Sequence, residues 1–131
     1  MTDGTATQTV AALFSITGSN DAPTITAGTA TATLVEAGGV ANGTAGTASS
    51  SITLTKGDVD GTASYDTTAM VTAGWATSDT GLTYTKTGTY GTATLTLLTG
   101  VVSYALSDSD TDTQALIAAQ SVSDSLSLIH I

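Results

Sequence analysis

Cysteine and arginine are absent from this chain of 131 residues, and proline, phenylalanine, tryptophan and histidine occur once each. Without cysteine, the chain has no disulfide bonds and no thiolate ligands for a metal ion. Its two lysines stand against eleven acidic residues, which gives a formal net charge of -9. Because the phosphates of nucleic acid would repel such a chain, we expect no nucleic-acid partner.

Long apolar runs are also missing. The longest one near the start, Val10 to Ile16, is interrupted by Ser15 and has no basic residue beside it. It is too short to span a membrane and lacks the basic flank of a signal peptide. We therefore expect no membrane insertion. If the protein is exported, its export signal is expected outside this sequence.

Catalytic side chains are scarce as well. The single histidine, His130, lies close to the C-terminus, no arginine is present to bind an anion, and no serine stands in a nucleophile-elbow motif. Two aspartates could form a glycosidase pair, but sugar hydrolysis usually also needs a cleft lined with aromatic residues. The inventory predicts that the chain is not an enzyme.

Threonine, alanine, glycine and serine dominate the chain, and threonine recurs at alternate positions over long runs. Alternation of this kind is typical of β-strands, so the predicted class is all-β. Hydrophobic residues amount to 40% of the chain, but many of them are alanine. A core built from such small side chains buries little apolar area, so a bound metal ion is a plausible source of extra stability.

Short alternating segments separated by glycine-bearing turns predict one strand before Pro23, Thr5 to Thr17, and about seven after it. The later ones are Thr24 to Val35, Ser50 to Thr55, Thr62 to Thr67, Leu82 to Thr85, Thr92 to Leu97, Val101 to Leu106 and Ser121 to Leu128. The segments on either side of Thr99 and Gly100 form the clearest hairpin. This pattern favours an antiparallel β-sandwich of immunoglobulin or cadherin type. A β-solenoid is the alternative, although no fixed short repeat supports it.

The same alternation predicts which side chains form the core between the two sheets. They are Ile52, Leu54, Trp75, Leu95, Leu97, Val102, Tyr104, Leu106, Val122 and Leu126. Between the predicted strands, Met70 and Val71 should also anchor their segment to this core.

Pro23 marks a domain boundary. Its ring fixes its own φ and favours an extended conformation at Ala22, so residues 19–24 are predicted to form a short, straight linker. Residues 1–18 are then the last strand of a preceding domain, and residues 25–128 form one whole domain. Residues 129–131 are expected to be an irregular or truncated tail.

The linker and one loop carry the ligands that calcium prefers. Asn20 and Asp21 lie in the linker, and Asp58 and Asp60 lie in the loop that follows the strand Ser50 to Thr55. If the first two strands after the linker are antiparallel, this loop returns to the linker, so the four side chains should converge. Calcium binds carboxylate and amide oxygens, which favours a calcium site. The competing interpretation is an ordinary turn, because Asp and Gly are common turn residues.

A second acidic cluster consists of Asp108, Asp110 and Asp112. It lacks the glycine and the distal glutamate of an EF-hand loop. We expect a solvated turn in which Asp112 caps one helical turn through Gln114 and Leu116, and a weak cation site is the alternative.

Five segments resemble a known family when they are taken in order. They are GSNDAPTIT, ATLVEAGG, ITLTKGDVDGTASY, YGTATLTLLTGVVSYAL and DTQALIAAQSVSDSLSL. Together they resemble the VCBS repeat, a cadherin-like domain that occurs in tandem in very large bacterial surface and RTX-type adhesins. The resemblance covers nearly all of residues 20–128, and the segment before it resembles the end of a previous repeat.

The resemblance implies a calcium-stiffened spacer in cell or surface adhesion. By similarity to cadherin linkers, Asn20, Asp21, Asp58 and Asp60 would hold calcium at the junction with the preceding repeat, and Glu36 would serve the junction with the next one. The implied location is extracellular, secreted or at the cell surface. The implied partners are neighbouring repeats, while other domains of the protein would contact glycans or cells.

The alternative function is a carbohydrate- or ligand-binding module of a secreted protein. Tyr65, Trp75, Tyr84 and Tyr90 could stack on sugars if their rings shared an exposed face. Buried rings would favour the spacer instead.

Overall fold

The computed structural model describes Gly4, residues 6–78 and residues 80–128. Most of its regular structure is one antiparallel sheet of six strands, so the all-β prediction is confirmed. The strands are Thr24–Ala27 (β1), Ser49–Gly57 (β2), Ala76–Thr77 (β3), Thr83–Thr87 (β4), Gly91–Thr96 (β5) and Val101–Leu106 (β6). They lie side by side in the order β1-β2-β6-β5-β4-β3. A 3-10 turn at Val40–Asn42 and the helices Thr67–Thr72 (α1) and Thr111–Gln114 (α2) complete the fold.

The predicted hairpin is the centre of this sheet. β5 pairs with β6 from Gly91 opposite Leu106 to Thr96 opposite Val101, and β6 in turn pairs with β2. Gly100 closes the turn with a positive φ of 69°. A Cβ there would lie 2.5 Å from the carbonyl oxygen of Leu54, so this position needs glycine for two reasons.

The core lies against the middle of the sheet. Its buried apolar side chains are Leu54, Met70, Trp75, Tyr84, Ala93, Leu95 and Val102, and the half-buried Ile52, Leu97, Tyr104 and Leu126 pack against them. The prediction is confirmed for all of these residues except Tyr84 and Ala93, which it did not include. The predicted Leu106 is half-buried but lies outside this group. The prediction is wrong for Val71 and Val122, which are 53% and 40% exposed.

Two predicted strands differ in the structure. β1 ends at Ala27, although Gly28 and Thr31 still donate backbone hydrogen bonds to β2 carbonyls, and the prediction extended this strand to Val35. Residues 62–66 form no strand, and Asp66 is the N-cap of α1. The carboxylate of Asp66 accepts the amide of Ala69 at 2.9 Å, which caps the helix. This cap outweighs the strand preference of the neighbouring threonines.

Neither end of the described chain forms a predicted strand. No strand occurs over residues 8–17 or 121–128. A second sheet is likewise absent from the residues that the structure covers, so the two-sheet packing of a sandwich stays a prediction. Thr5, Asp79, His130 and the tail at residues 129–131 lie outside the described residues. Among the helices described, none has the length and apolar character needed to cross a membrane.

Candidate metal centre at the linker

The linker meets the aspartate loop where the prediction placed them. β1 runs antiparallel to β2, with Thr24 opposite Gly57, so the residue stretch before β1 lies beside the stretch after β2. The backbone amide of Asp21 donates to the carboxylate of Asp60, at 3.1 Å to Oδ2 and 3.3 Å to Oδ1. The two segments therefore meet as predicted, whereas the sharing of one ion by the four side chains stays a prediction.

The loop also has the internal hydrogen bonds of a turn. Asp58 Oδ1 accepts the amides of Asp60 and Gly61, at 3.2 and 3.0 Å. In the linker, the side-chain amide of Asn20 donates to the carbonyl oxygen of Asp21 at 2.6 Å. Asp58 thus shapes the turn, as the ordinary-turn interpretation expects, while Asp60 contacts the linker, as the calcium interpretation expects.

These residues are of the kind that binds calcium, but they supply too few ligands. Carboxylate and amide oxygens are suitable ligands, and the side chains of Asn20, Asp21 and Asp60 are exposed to solvent. Calcium takes about six to eight oxygens, however. Over the described ranges, no three Asp, Glu or His side chains lie close enough together to hold a metal ion. A calcium ion here would need further ligands from backbone, water or a neighbouring domain.

Glu36 does not join this set. It follows Val35, which pairs with Thr47 before the start of β2, so it lies at the end of the sheet opposite to the linker. There the side-chain amide of Gln114 donates to Glu36 Oε1 at 3.3 Å. Glu36 lines a cleft of about 940 Å³ between residues 33–39 and the segment after α2.

The second acidic cluster is used for local structure. Asp108 Oδ1 accepts the amide of Ala37 at 3.0 Å, which joins the loop after residue 35 to the start of α2. The N-cap of α2 is Asp110, whose carboxylate accepts the amide of Asp112 at 2.9 Å. The prediction that Asp112 is the cap was wrong by two residues, since Asp112 lies inside the helix.

Asp124 is the carboxylate that the sequence analysis missed. It accepts the amides of Thr89 and Tyr90, at 2.9 and 3.0 Å, and the hydroxyl of Tyr104. A Cβ at Gly88 would lie 2.2 Å from Asp124 Oδ2, so glycine is what allows this approach. The signal in the sequence was its position between Val122 and Leu126 on the apolar side of an alternating segment. A carboxylate in such a place needs hydrogen-bond partners.

These contacts alter the pKa values of both side chains. Burial by itself raises the pKa of Asp124, but the hydrogen bonds from Tyr104, Tyr90 and Thr89 outweigh it, and the pKa lies below its ordinary value. Burial, aided by the hydrogen bond and charge of Asp124, raises the pKa of Tyr104. Asp124 is therefore held ionised beside a neutral tyrosine.

The aromatic side chains do not form a sugar-binding platform. Trp75 and Tyr84 are 2% and 6% exposed, and the Trp75 indole donates to the carbonyl oxygen of Ser127 at 2.9 Å. Tyr65 and Tyr90 are half-buried. Three exposed rings on one face, which the carbohydrate-binding alternative requires, are not available from these four residues.

Comparison with known proteins gives no match among protein-family models, curated proteins or solved structures. The resemblance to VCBS repeats therefore depends on the five sequence segments alone, and family membership stays a prediction.

Proposed function

We propose that this chain is a non-catalytic, cadherin-like repeat that acts as a calcium-stiffened spacer in a bacterial surface or secreted adhesin. In this proposal the fold is completed as an immunoglobulin- or cadherin-like sandwich, and its partners are neighbouring repeats of the same protein outside the cell. The function needs no catalytic group, only a stable domain and a stiff junction.

The contact between the Asp21 amide and the Asp60 carboxylate carries this proposal. It joins the linker directly to the body of the domain at the point where a preceding domain would end. Because the contact uses one backbone donor and is exposed, it contributes only about 1 kcal/mol by itself. A junction held by this bond alone would bend easily, so a further ligand bridging the same oxygens would stiffen it.

Calcium has the chemistry for that bridge. Asn20, Asp21, Asp58 and Asp60 would supply oxygens, and Glu36 would serve the opposite junction. In a chain with a net charge of -9, a divalent cation also reduces the repulsion between neighbouring carboxylates. When free calcium is one hundred times its Kd, binding to the folded state alone stabilises by about 2.7 kcal/mol.

Thermal unfolding in millimolar calcium and in excess chelator tests this proposal. For a domain of about 100 residues, the expected rise in Tm with calcium is roughly 10 °C. The double substitution Asp58→Asn with Asp60→Asn should remove most of that rise, because it removes both loop carboxylates.

The matched control is Asp112→Asn. It removes one exposed negative charge at the other end of the fold, where the Asp112 side chain has no hydrogen-bond partner within the described part of the chain. The control should keep the calcium-dependent rise. Equal Tm values with and without calcium in the parent chain would exclude the proposed metal role.

A further inference from the structure

Residues 8–17 form an exposed segment without partners. None of them makes a hydrogen bond within the part of the chain that the structure describes. Val10, Leu13, Phe14 and Ile16 are nevertheless 92%, 93%, 85% and 92% exposed. Large apolar side chains exposed together in one short segment mark a surface that binds another surface.

The segment from Ser121 to Leu128 is its structural counterpart. Its side chains alternate, with Asp124, Leu126 and Leu128 turned toward the sheet and the intervening serines exposed. No backbone amide of this segment donates to a backbone carbonyl in the described ranges. The Ser127 carbonyl accepts the Trp75 indole, but the backbone amides have no backbone acceptor within the described residues. The segment is therefore an edge to which a strand can be added.

An apolar groove runs beside this edge. It has a volume of about 350 Å³ and separates residues 30–34 from residues 124–128. Ile52, Ala93 and Val102 of the sheet line it. Its one charged side chain, Asp124, already accepts three hydrogen bonds, so the groove suits an uncharged occupant.

We propose that residues 10–16 of one copy of this chain insert as a strand beside residues 122–128 of a second copy. The two segments match in length, at about 23 Å for seven extended residues. Main-chain hydrogen bonds would provide affinity, and Val10, Ala12, Phe14 and Ile16, which fall on one face of an extended strand, would enter the groove.

Charge favours this occupant over the rest of the chain. No charged residue occurs between Gly4 and Asn20, whereas the whole chain carries a net charge of -9. The neutral segment can therefore approach a second copy with the least repulsion. The inference rests on the exposed segment of this chain and requires neither calcium nor a preceding repeat.

Sedimentation of the full chain in chelator, over a wide range of concentrations, tests this inference. The expected mass exceeds the 12.8 kDa of one chain and rises with concentration. Phe14→Asp should return the chain to a monomer, because it places a charge in the groove. Amide hydrogen exchange should show protection of residues 122–128 in the assembled chain and its loss in this variant.

Leu13→Asp is the matched control, since Leu13 is equally exposed but falls on the opposite face of the strand. It should keep the assembly. Neither variant should unfold the domain, because the segment contacts nothing that the core needs.

A monomer at every concentration would overturn the inference, as would assemblies that survive Phe14→Asp. Protection at β3 or β1 in place of residues 122–128 would also overturn it, as would a monomer with residues 122–128 already protected. Because calcium is absent throughout, failure here leaves the spacer proposal untouched.

Discussion

Asp60 and Asp124 use the same functional group in opposite ways. Asp60 is exposed and accepts the amide of a neighbouring segment, whereas Asp124 is half-buried and accepts two amides and a hydroxyl. Only Asp60 belongs to an alternating pair of aspartates, the pattern that predicts a calcium site. Only Asp124 holds a long stretch of chain in place, since it ties residues 121–128 to the turn between β4 and β5. Patterned acidic residues thus mark a candidate ligand site, while a lone carboxylate on an apolar face supports the fold.

Substitution of the two carboxylates should give the largest difference. Asp124→Ala leaves two amides and the Tyr104 hydroxyl without their partner, so we expect a loss of about 2–4 kcal/mol in the free energy of unfolding. Asp60→Ala, measured without calcium, should cost less than about 1 kcal/mol because its one partner is exposed. Urea denaturation of both variants in chelator measures the difference. Equal losses would mean that the Asp124 contacts add nothing beyond those of a surface carboxylate.

Gly88→Ala should give the next largest effect. The new Cβ would lie 2.2 Å from Asp124 Oδ2, so Asp124 must move and weaken its hydrogen bonds. We expect a loss of about 1–3 kcal/mol in the parent chain. In the Asp124→Ala background the same substitution should cost much less, because the clash is gone.

Gly38→Ala is the matched control for this cycle. No atom lies within 4 Å of a Cβ built at Gly38, and its φ is not positive. It should change stability by less than about 0.5 kcal/mol. Additive losses from Gly88→Ala and Asp124→Ala would contradict the proposed steric link between the two residues.

The pH dependence should give the smallest effect. The pKa of Asp124 is lower in the folded state than its ordinary value of about 3.9, so its stabilising contribution is present above that value. The contribution is lost as the pH falls through the lower, folded-state pKa. The stability gap between the parent chain and Asp124→Asn should therefore narrow from pH 6 toward about pH 3.

Urea denaturation at several pH values measures this gap. The other acidic residues are the same in the parent chain and in Asp124→Asn. Their effect on the free energy of unfolding, which also changes in acid, therefore cancels in the difference between the two. Asp112 makes no such contacts in the described structure. The free energy of unfolding of Asp112→Asn should therefore follow that of the parent chain over the whole pH range. A gap that stays constant would show that the Asp124 contacts do not depend on its charge.

The sequence predicted those strands and turns that a local pattern of residues identifies. The β5–β6 hairpin follows from strict alternation on both sides of a Thr-Gly turn, and β2 follows from the pattern around Ile52 and Leu54. The meeting of Asp21 with Asp60 needed only the antiparallel direction of β1 and β2. These features are local, or follow from local features by one geometric step.

Contacts between distant segments decided the rest. The alternation of residues 8–17 and 121–128 is suitable for strands, but a strand exists only when a partner satisfies its backbone groups, and the structure provides none within the described chain. The partners of Asp124 lie 20 to 35 residues away in sequence, so no local pattern identifies them. Tertiary structure also buried Tyr84 and left Val122 exposed. Val122 falls on the same face as Leu126, but it lines the cleft beside residues 33–39 instead of packing against the core. Side-chain alternation is a property of the chain, whereas pairing and burial depend on which segments meet.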